Sequence, residues 1–350
     1  MNLNNLAKVV SIGGGTGLAC LLKGLKHGVL DLPVIEAPSQ PPWISRLTAI
    51  VTVADDGGSS GRLRDELQIL PPGDIRNCMV ALSTDESLLG RLFQYRFSGS
   101  GQLNGHSFGN LFVSALTGVT GDFLEAIRMS SDVLAIKGRI YPSTLRDVRL
   151  EAILEDGSRA YGESAISGSS LRIERVNLVP ADCRPVRAVL EAIRSADVIT
   201  VGPGSLFTSI VPNLLVRGIA REIRKSPAVK IYVGNLMTQP GETTGFSAAE
   251  HVEVIYSHCG QRLFDGIVLN NAPIPRAEAA RYRLLGSTPV ISDHARLQDL
   301  GLEIYEERML APGKVIRHDP LRLTEAIHGA YRMWRVSSDG GKVRQISASV

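Results

Sequence analysis

The chain reads as an α/β protein with a mostly parallel β-sheet covered by helices and a small antiparallel β insert. Two observations predict the sheet: short apolar runs recur along the sequence, and segments with apolar residues at helical spacing separate them. Strands that alternate with helices pair in parallel and are covered on both faces. A third observation predicts the insert: over residues 147–178 the alternation stops and strand-like segments flank Asp156-Gly157, a hairpin turn pair.

Lys8 to Ile12 is the first strand, and Leu18, Leu21, Leu22 and Leu25 form the apolar stripe of the helix after it. A proline-rich stretch from Leu30 to Leu47, with Pro33, Pro38, Pro41 and Pro42, reads as a surface loop ahead of a buried strand, Leu47 to Val53. Further strands are expected at Val198–Val201, Lys230–Val233, Gly266–Leu269 and Pro289–Ser292. Helices are expected around Ala188–Ala196, Phe207–Lys225, Phe246–His258 and Ala277–Leu284. The insert is expected to contain Asp147–Glu155, Arg159–Ile166 and Leu171–Leu178. From Val336 the chain is polar and glycine-rich, which predicts one domain over residues 1–335 and a mobile tail over 336–350.

Composition limits the function. The 350 residues are 44% hydrophobic and 21% charged, and the net charge is only +3. With no run of five like charges, an extended nucleic-acid or membrane surface is not indicated, and a compact anionic ligand fits better. Cys20, Cys78, Cys183 and Cys259 lie far apart and read as reduced thiols. His251 and His258, seven residues apart beside Cys259, read as a solvated helix face in preference to a metal site. The start shows no signal sequence and no stretch of eighteen apolar residues occurs, so a cytoplasmic protein is expected.

The glycine-rich loops carry the functional reading. Gly13-Gly14-Gly15-Thr16-Gly17 leaves the first strand and opens a helix, where backbone N–H groups and the helix dipole favour a phosphate. A side chain at Gly14 or Gly15 is expected to occupy the space of the ligand. The dinucleotide fingerprint is broken, because Leu18 stands where its last glycine belongs. After the second strand comes Ala54-Asp55-Asp56-Gly57-Gly58-Ser59-Ser60-Gly61, whose acids can accept from ribose hydroxyls or hold a metal on phosphates. Asp56 and Ser60 can equally serve as caps for backbone donors.

Two more polar clusters, around Asp74, Arg76 and Asn77 and around His106, Ser107 and Asn110, follow successive elements, where such folds assemble a cleft. The most specific signal is a buried strand followed by Gly202-Pro203-Gly204-Ser205 and a helix opened by Thr208 and Ser209. These hydroxyls can donate to phosphate oxygens, and Asn235 adds a polar group at the end of a neighbouring strand.

These loops, in this order, closely resemble the gluconeogenesis factors (YvcK), a branch of the CofD-like family. The likeness runs from about Lys8 to Arg317 and continues through Asn235-Leu236-Met237-Thr238-Gln239, Gly241-Glu242-Thr243, His258-Cys259-Gly260 and Val315-Ile316-Arg317-His318. The resemblance implies a Rossmann-like three-layer α/β/α fold and a role in cell shape and cell-wall synthesis on gluconeogenic carbon sources. It also implies a receptor for a UDP-N-acetylglucosamine-like ligand, with Tyr282 and Arg317 contacting the nucleotide sugar. On its residues alone Tyr282 reads as helix surface, whereas Arg317 suits a phosphate clamp. Some relatives carry a regulatory threonine where this chain has Pro320. The other branch, the 2-phospho-L-lactate transferases, has an aspartate-rich motif where this chain reads Pro-Pro-Gly-Asp-Ile-Arg-Asn.

A regulatory protein that binds a nucleotide or nucleotide sugar is therefore expected, with Mg²⁺ as a conceivable companion of the phosphates and the insert as a site for a homodimer contact. Two other readings stay open. One is a Mg²⁺-dependent transferase using Asp55, Asp56 or Asp74. The other is an NAD-dependent dehydrogenase, which lacks an evident hydride-transfer partner.

Overall fold

The structure is a computed structural model that describes residues 6–30, 41–84 and 88–346, with backbone alone for 338–346. Along the chain come β1 (Ala7–Gly13), α1 (Gly15–Leu25), β2 (Ile44–Val51), α2 (Gly58–Leu67), α3 (Gly73–Leu82), α4 (Leu88–Gln94), α5 (Phe108–Thr120), α6 (Phe123–Val133) and β3 (Arg139–Pro142). The insert follows as β4 (Arg149–Leu154), β5 (Arg159–Tyr161), α7 (Glu163–Ser167) and β6 (Ile173–Val179). The second half holds α8 (Arg187–Arg194), β7 (Val198–Val201), a π-helical turn (Leu206–Ile210), α9 (Val211–Leu215), α10 (Ile219–Lys225), β8 (Val229–Val233) and α11 (Ala248–Cys259). It closes with β9 (Gly266–Asn270), α12 (Arg276–Arg283), α13 (His294–Asp299), β10 (Glu303–Glu307) and α14 (Pro320–Ile346).

The seven-stranded sheet has the order β10-β9-β8-β7-β1-β2-β3, and its strands pair in parallel. The first three strands build outward from β1 on one side, and β7 to β10 build outward on the other. The direction of winding reverses between β1 and β7, and a crevice opens there at the carboxyl ends of the strands. All four residues of β7 are buried, as are Val9, Val10 and Ile12 of β1. Their burial explains the continuous apolar runs. Among the described residues no helix is long and apolar enough to cross a membrane, and all four cysteines are free.

The second sheet, β5-β4-β6, is antiparallel. Its hairpin turns on Gly157 at φ +79°, where Ser158 N–H donates to Asp156 Oδ1 at 2.9 Å. The expected insert strands are found, but residues 163–167 form a helix where the pattern predicts strand.

Other boundaries differ from expectation for local reasons. Residues 31–40 of the proline-rich loop lie outside the described residues. Beyond them β2 begins at Ile44, earlier than predicted, because Trp43 N–H donates to Gly28 O and Leu30 N–H to Ile44 O. The predicted helix 207–225 is broken at Gly218, whose φ of +98° no helix accommodates. Pro289–Ser292 forms no strand, since proline has no N–H for a ladder, and only an isolated bridge joins Pro289 to Met237. The sheet edge is β10 instead, a run too acidic to read as buried. The stretch 336–346 that reads as tail is helical backbone, continuing α14, because extending a formed helix needs no new nucleus; residues 347–350 lie outside the described residues.

Candidate functional site

The two glycine loops meet in the crevice between β1 and β7, where they line a cleft of about 1930 Å³. Gly15 has φ +61°, a backbone that favours glycine, and the nearest atom to a Cβ there is Ser209 Oγ at 3.6 Å. Gly14 is extended, and a Cβ on it would lie 2.5 Å from Asp74 Oδ2 and 2.7 Å from Thr52 Cγ2. A Cβ on Gly17 would lie 2.4 Å from the Pro203 carbonyl oxygen. At Gly14 and Gly17, then, the protein's own packing excludes a side chain, where the sequence suggested that a ligand at Gly14 does so. Gly13 is buried behind the loop, and its carbonyl accepts from Asn213 Nδ2 at 2.9 Å. Thr16 and Gly17 line the cleft on the open first turn of α1, whose leading N–H groups have no partner within the helix.

Opposite them stands the turn Gly202–Ser205. Asn235 holds it from the end of β8: its Oδ1 accepts from Gly204 N–H at 3.2 Å and its Nδ2 donates to Gly204 O at 2.8 Å. Ser205 caps the π-helical turn, accepting from Thr208 N–H at 3.2 Å, and its hydroxyl meets Thr208 Oγ1 at 2.7 Å. Pro203, Gly204, Ser205, Ser209 and Asn235 line the cleft, whereas Gly202 and Thr208 lie behind the wall.

The acids are divided between caps, a group buried behind the glycine loop and the cleft wall. Asp55 Oδ1 accepts from Gly57 N–H at 2.8 Å, and burial raises its pKa. Asp56 Oδ1 accepts from Ser164 N–H at 3.1 Å and so holds the start of α7. Asp74 takes a hydrogen bond from Gly15 N–H, and burial, followed by the charge of Asp55, pushes its pKa up to about 6. Glu163, carried into the cleft wall by α7, is pushed up to about 8 by burial and then by the charges of Asp55, Asp74 and Glu242. Thr208 Oγ1 donates to Glu163 Oε1 at 3.3 Å. Glu242 accepts from Ser167 Oγ at 2.8 Å and from the Ser205 hydroxyl. The insert is thereby fastened beside the Gly202–Ser205 turn.

Arg76 and Asn77 line the cleft, with Arg76 Nη2 donating to Asn77 Oδ1 at 2.7 Å. The remaining cluster stands apart. Ser59 Oγ meets His106 Nδ1 at 3.0 Å, and Asn110 Nδ2 donates to Ser59 Oγ at 3.1 Å. Ser107 is the N-cap of α5. All four are buried, and none lines the cleft, so the cap reading suits Ser107 and a buried polar network suits the other three. Asp55, Asp56, Gly57 and Asp74 also lie outside the lining. His251 and His258 correct the expectation of a solvated face: both are buried, and His258 Nε2 accepts from Val176 N–H at 3.0 Å, tying α11 to β6. Among the described residues no three His, Cys, Asp or Glu side chains are arranged to hold a metal ion.

Tyr282 and Arg317 both reach the cleft. Tyr282 is more than helix surface, because its hydroxyl accepts from Ile316 N–H at 3.1 Å and fixes the segment before Arg317. The Arg281 guanidinium lies 5.3 Å from the Tyr282 ring centre. Arg317 is exposed, and among the described residues its guanidinium has no hydrogen-bond or ion-pair partner. Glu306, one surface carboxylate that could have paired with it, is bonded to His294 instead at 2.7 Å.

The family described as 2-phospho-L-lactate transferase CofD matches residues 9–310. The chain belongs to this family. Within the CofD family it is similar to the gluconeogenesis factor of Halalkalibacterium halodurans, with 47% identity over 320 residues, 91% of this chain and 95% of that protein. It is 46% identical to the gluconeogenesis factor of Bacillus subtilis over 313 residues, covering 89% of this chain and 94% of that one. A crystal structure of a Bacillus halodurans protein superposes with a TM-score of 0.85 at 46% identity, covering 92% of this chain and 99% of that chain. The residue-level reading of this CofD-family cleft missed Glu163 and Glu242. Glu242 lies in the quoted Gly-Glu-Thr segment, but Glu163 belongs to no motif and enters only because the insert folds back over the loops.

Proposed function

We propose that this CofD-family chain is a cytoplasmic regulatory protein that binds a nucleotide sugar of the UDP-N-acetylglucosamine type. In this reading it is a gluconeogenesis factor that serves cell-shape and cell-wall homeostasis on gluconeogenic carbon sources. The observation that carries the reading is the convergence of the two glycine loops with Arg317 and Tyr282 on one cleft. The first turn of α1 and Ser209 take the phosphates. Arg317, a guanidinium without a protein partner, clamps the diphosphate through two parallel bonds, and Tyr282 offers its ring to the base or sugar. The names of the relatives at 46–47% identity support the gluconeogenesis-factor part of this reading.

A second reading, a Mg²⁺-dependent phospho-group transferase, is favoured by the family's own description. Asp55 and Asp74 are the acids that would hold the ion in that reading, but both lie outside the cleft lining, which weighs against it. One experiment separates the two. The purified chain is titrated with nucleotides and nucleotide sugars, with and without Mg²⁺, and the ligand is analysed after prolonged incubation. The receptor reading expects UDP-N-acetylglucosamine to bind and to be returned unchanged. Release of UDP, UMP or a transferred product moves the assignment to the transferase.

A further inference from the structure

The Arg317 segment ends on a histidine that no role so far accounts for. His318 lines the cleft and is only 6% exposed. Backbone bonds on both sides hold it: Ala311 N–H donates to Arg317 O at 2.9 Å, and Asp319 N–H donates to Met309 O at 2.7 Å. From α1, one turn beyond Gly17, Cys20 Sγ donates to His318 O at 3.3 Å. The imidazole bonds to the Gly234 backbone at the end of β8, next to the Asn235 that holds the Gly-Pro-Gly-Ser turn. The residue therefore sits between the two halves of the crevice.

The two ring nitrogens differ. The bond to Gly234 raises the pKa, as a donation from the ring does. Nε2 is buried and, among the described residues, has no hydrogen-bond partner. In a neutral imidazole with its proton on Nδ1, Nε2 is an acceptor. Burial pulls the pKa down to about 4, so the ring stays uncharged through the neutral range. A buried ring nitrogen without a partner is unfavourable, and the residue that carries this one lines the cleft.

We propose that His318 Nε2 reads the ligand by accepting a hydrogen bond from one of its N–H or O–H groups, beside the phosphate contact of Arg317. This inference rests on the nucleotide-sugar reading above and adds a requirement to it: the bound molecule must present a donor at this point, from its sugar hydroxyls, its acylamino group or its base.

The wild-type protein supplies the first test. With histidine labelled in ¹⁵N, saturation with UDP-N-acetylglucosamine is expected to move the His318 Nε2 resonance from a free toward a hydrogen-bonded imine nitrogen while Nδ1 stays protonated. Titrations with UDP-glucose and UDP then locate the donor: a response kept by all three places it on the uridine, on its base or a ribose hydroxyl, one lost only with UDP on a hydroxyl of the hexose, and one lost with both on the acylamino group. In calorimetry His318→Phe should weaken UDP-N-acetylglucosamine binding roughly tenfold to a hundredfold, with the ligand-free protein melting no lower than wild type. His318→Gln, which keeps an acceptor, should retain most of the affinity. An Nε2 signal that ignores a bound ligand overturns the proposal and leaves the nucleotide reading standing, as does a His318→Phe variant that binds like wild type. If the wild type binds none of the three ligands, the nucleotide reading itself fails and this inference falls with it.

Discussion

Replacing Glu163 by glutamine tests whether the carboxyl that the insert brings into the cleft is uncharged at neutral pH. Burial, with Asp55, Asp74 and Glu242 nearby, raises its pKa from 4.5 to about 8. In the unfolded chain this carboxyl ionises above 4.5, whereas in the folded protein it keeps its proton to about 8. The folded state therefore holds more protons between the two values, and its stability, intact below the lower one, falls as pH rises through the window. Each pH unit there removes about 1.4 kcal/mol. The window of about 3.5 units gives about 5 kcal/mol, which solvent screening of a part-exposed group reduces to about 2 kcal/mol. For a chain of 350 residues, an unfolding entropy of about 2.1 cal/mol/K per residue turns that into a Tm difference of about 3 °C. Thermal melts without ligand, at constant ionic strength, should show wild type and Glu163→Gln nearly together at about pH 5 and the variant about 3 °C higher at about pH 9. Curves that stay parallel across this range would refute the reasoning and put Glu163 in bulk water.

Arg317→Ala should weaken UDP-N-acetylglucosamine binding by roughly tenfold to a hundredfold with little change in the ligand-free Tm, because a guanidinium fork on phosphate contributes about 1.5–3 kcal/mol. Arg317→Lys should restore only part of it, and calorimetry showing unchanged affinity for the alanine variant would remove Arg317 from the site. Gly17→Ala should lower the denaturation midpoint by an amount worth about 1–3 kcal/mol, since its Cβ would meet the Pro203 carbonyl, a backbone atom that cannot swing away. An unchanged midpoint would show that the two loops are farther apart than described.

The sheet and its glycine loops are legible in the sequence because their constraints are local. A strand buried on both faces must be apolar throughout, as Val198–Val201 is, and a turn at φ +61° or +82° favours glycine wherever it occurs, as at Gly15 and Gly202. Features set by tertiary context are not legible. Glu303–Glu307 is a strand only because it lies at the sheet edge, where charge is tolerated. Ser107 and Asp56 have the residue types of phosphate or metal ligands, yet they cap α5 and α7, and nothing local distinguishes the two roles. His251 and His258 have the spacing of an exposed face, but the insert and the neighbouring helices bury them. The place of Glu163 depends on the insert crossing more than a hundred residues of sequence to reach Asp56.

The bonds that seat α7 and its flanks end on three separate parts of the main sheet: Asp56 after β2, Thr208 after β7 and Glu242 after β8. The insert is therefore bonded into the cleft wall at three points. The small sheet and the glycine-loop side of the cleft are joined by side chains already in contact. A molecule that grips β5-β4-β6 would alter the affinity for whatever the cleft holds, and the occupant would alter the strength of the grip by the same factor, because coupling between two binding sites is mutual.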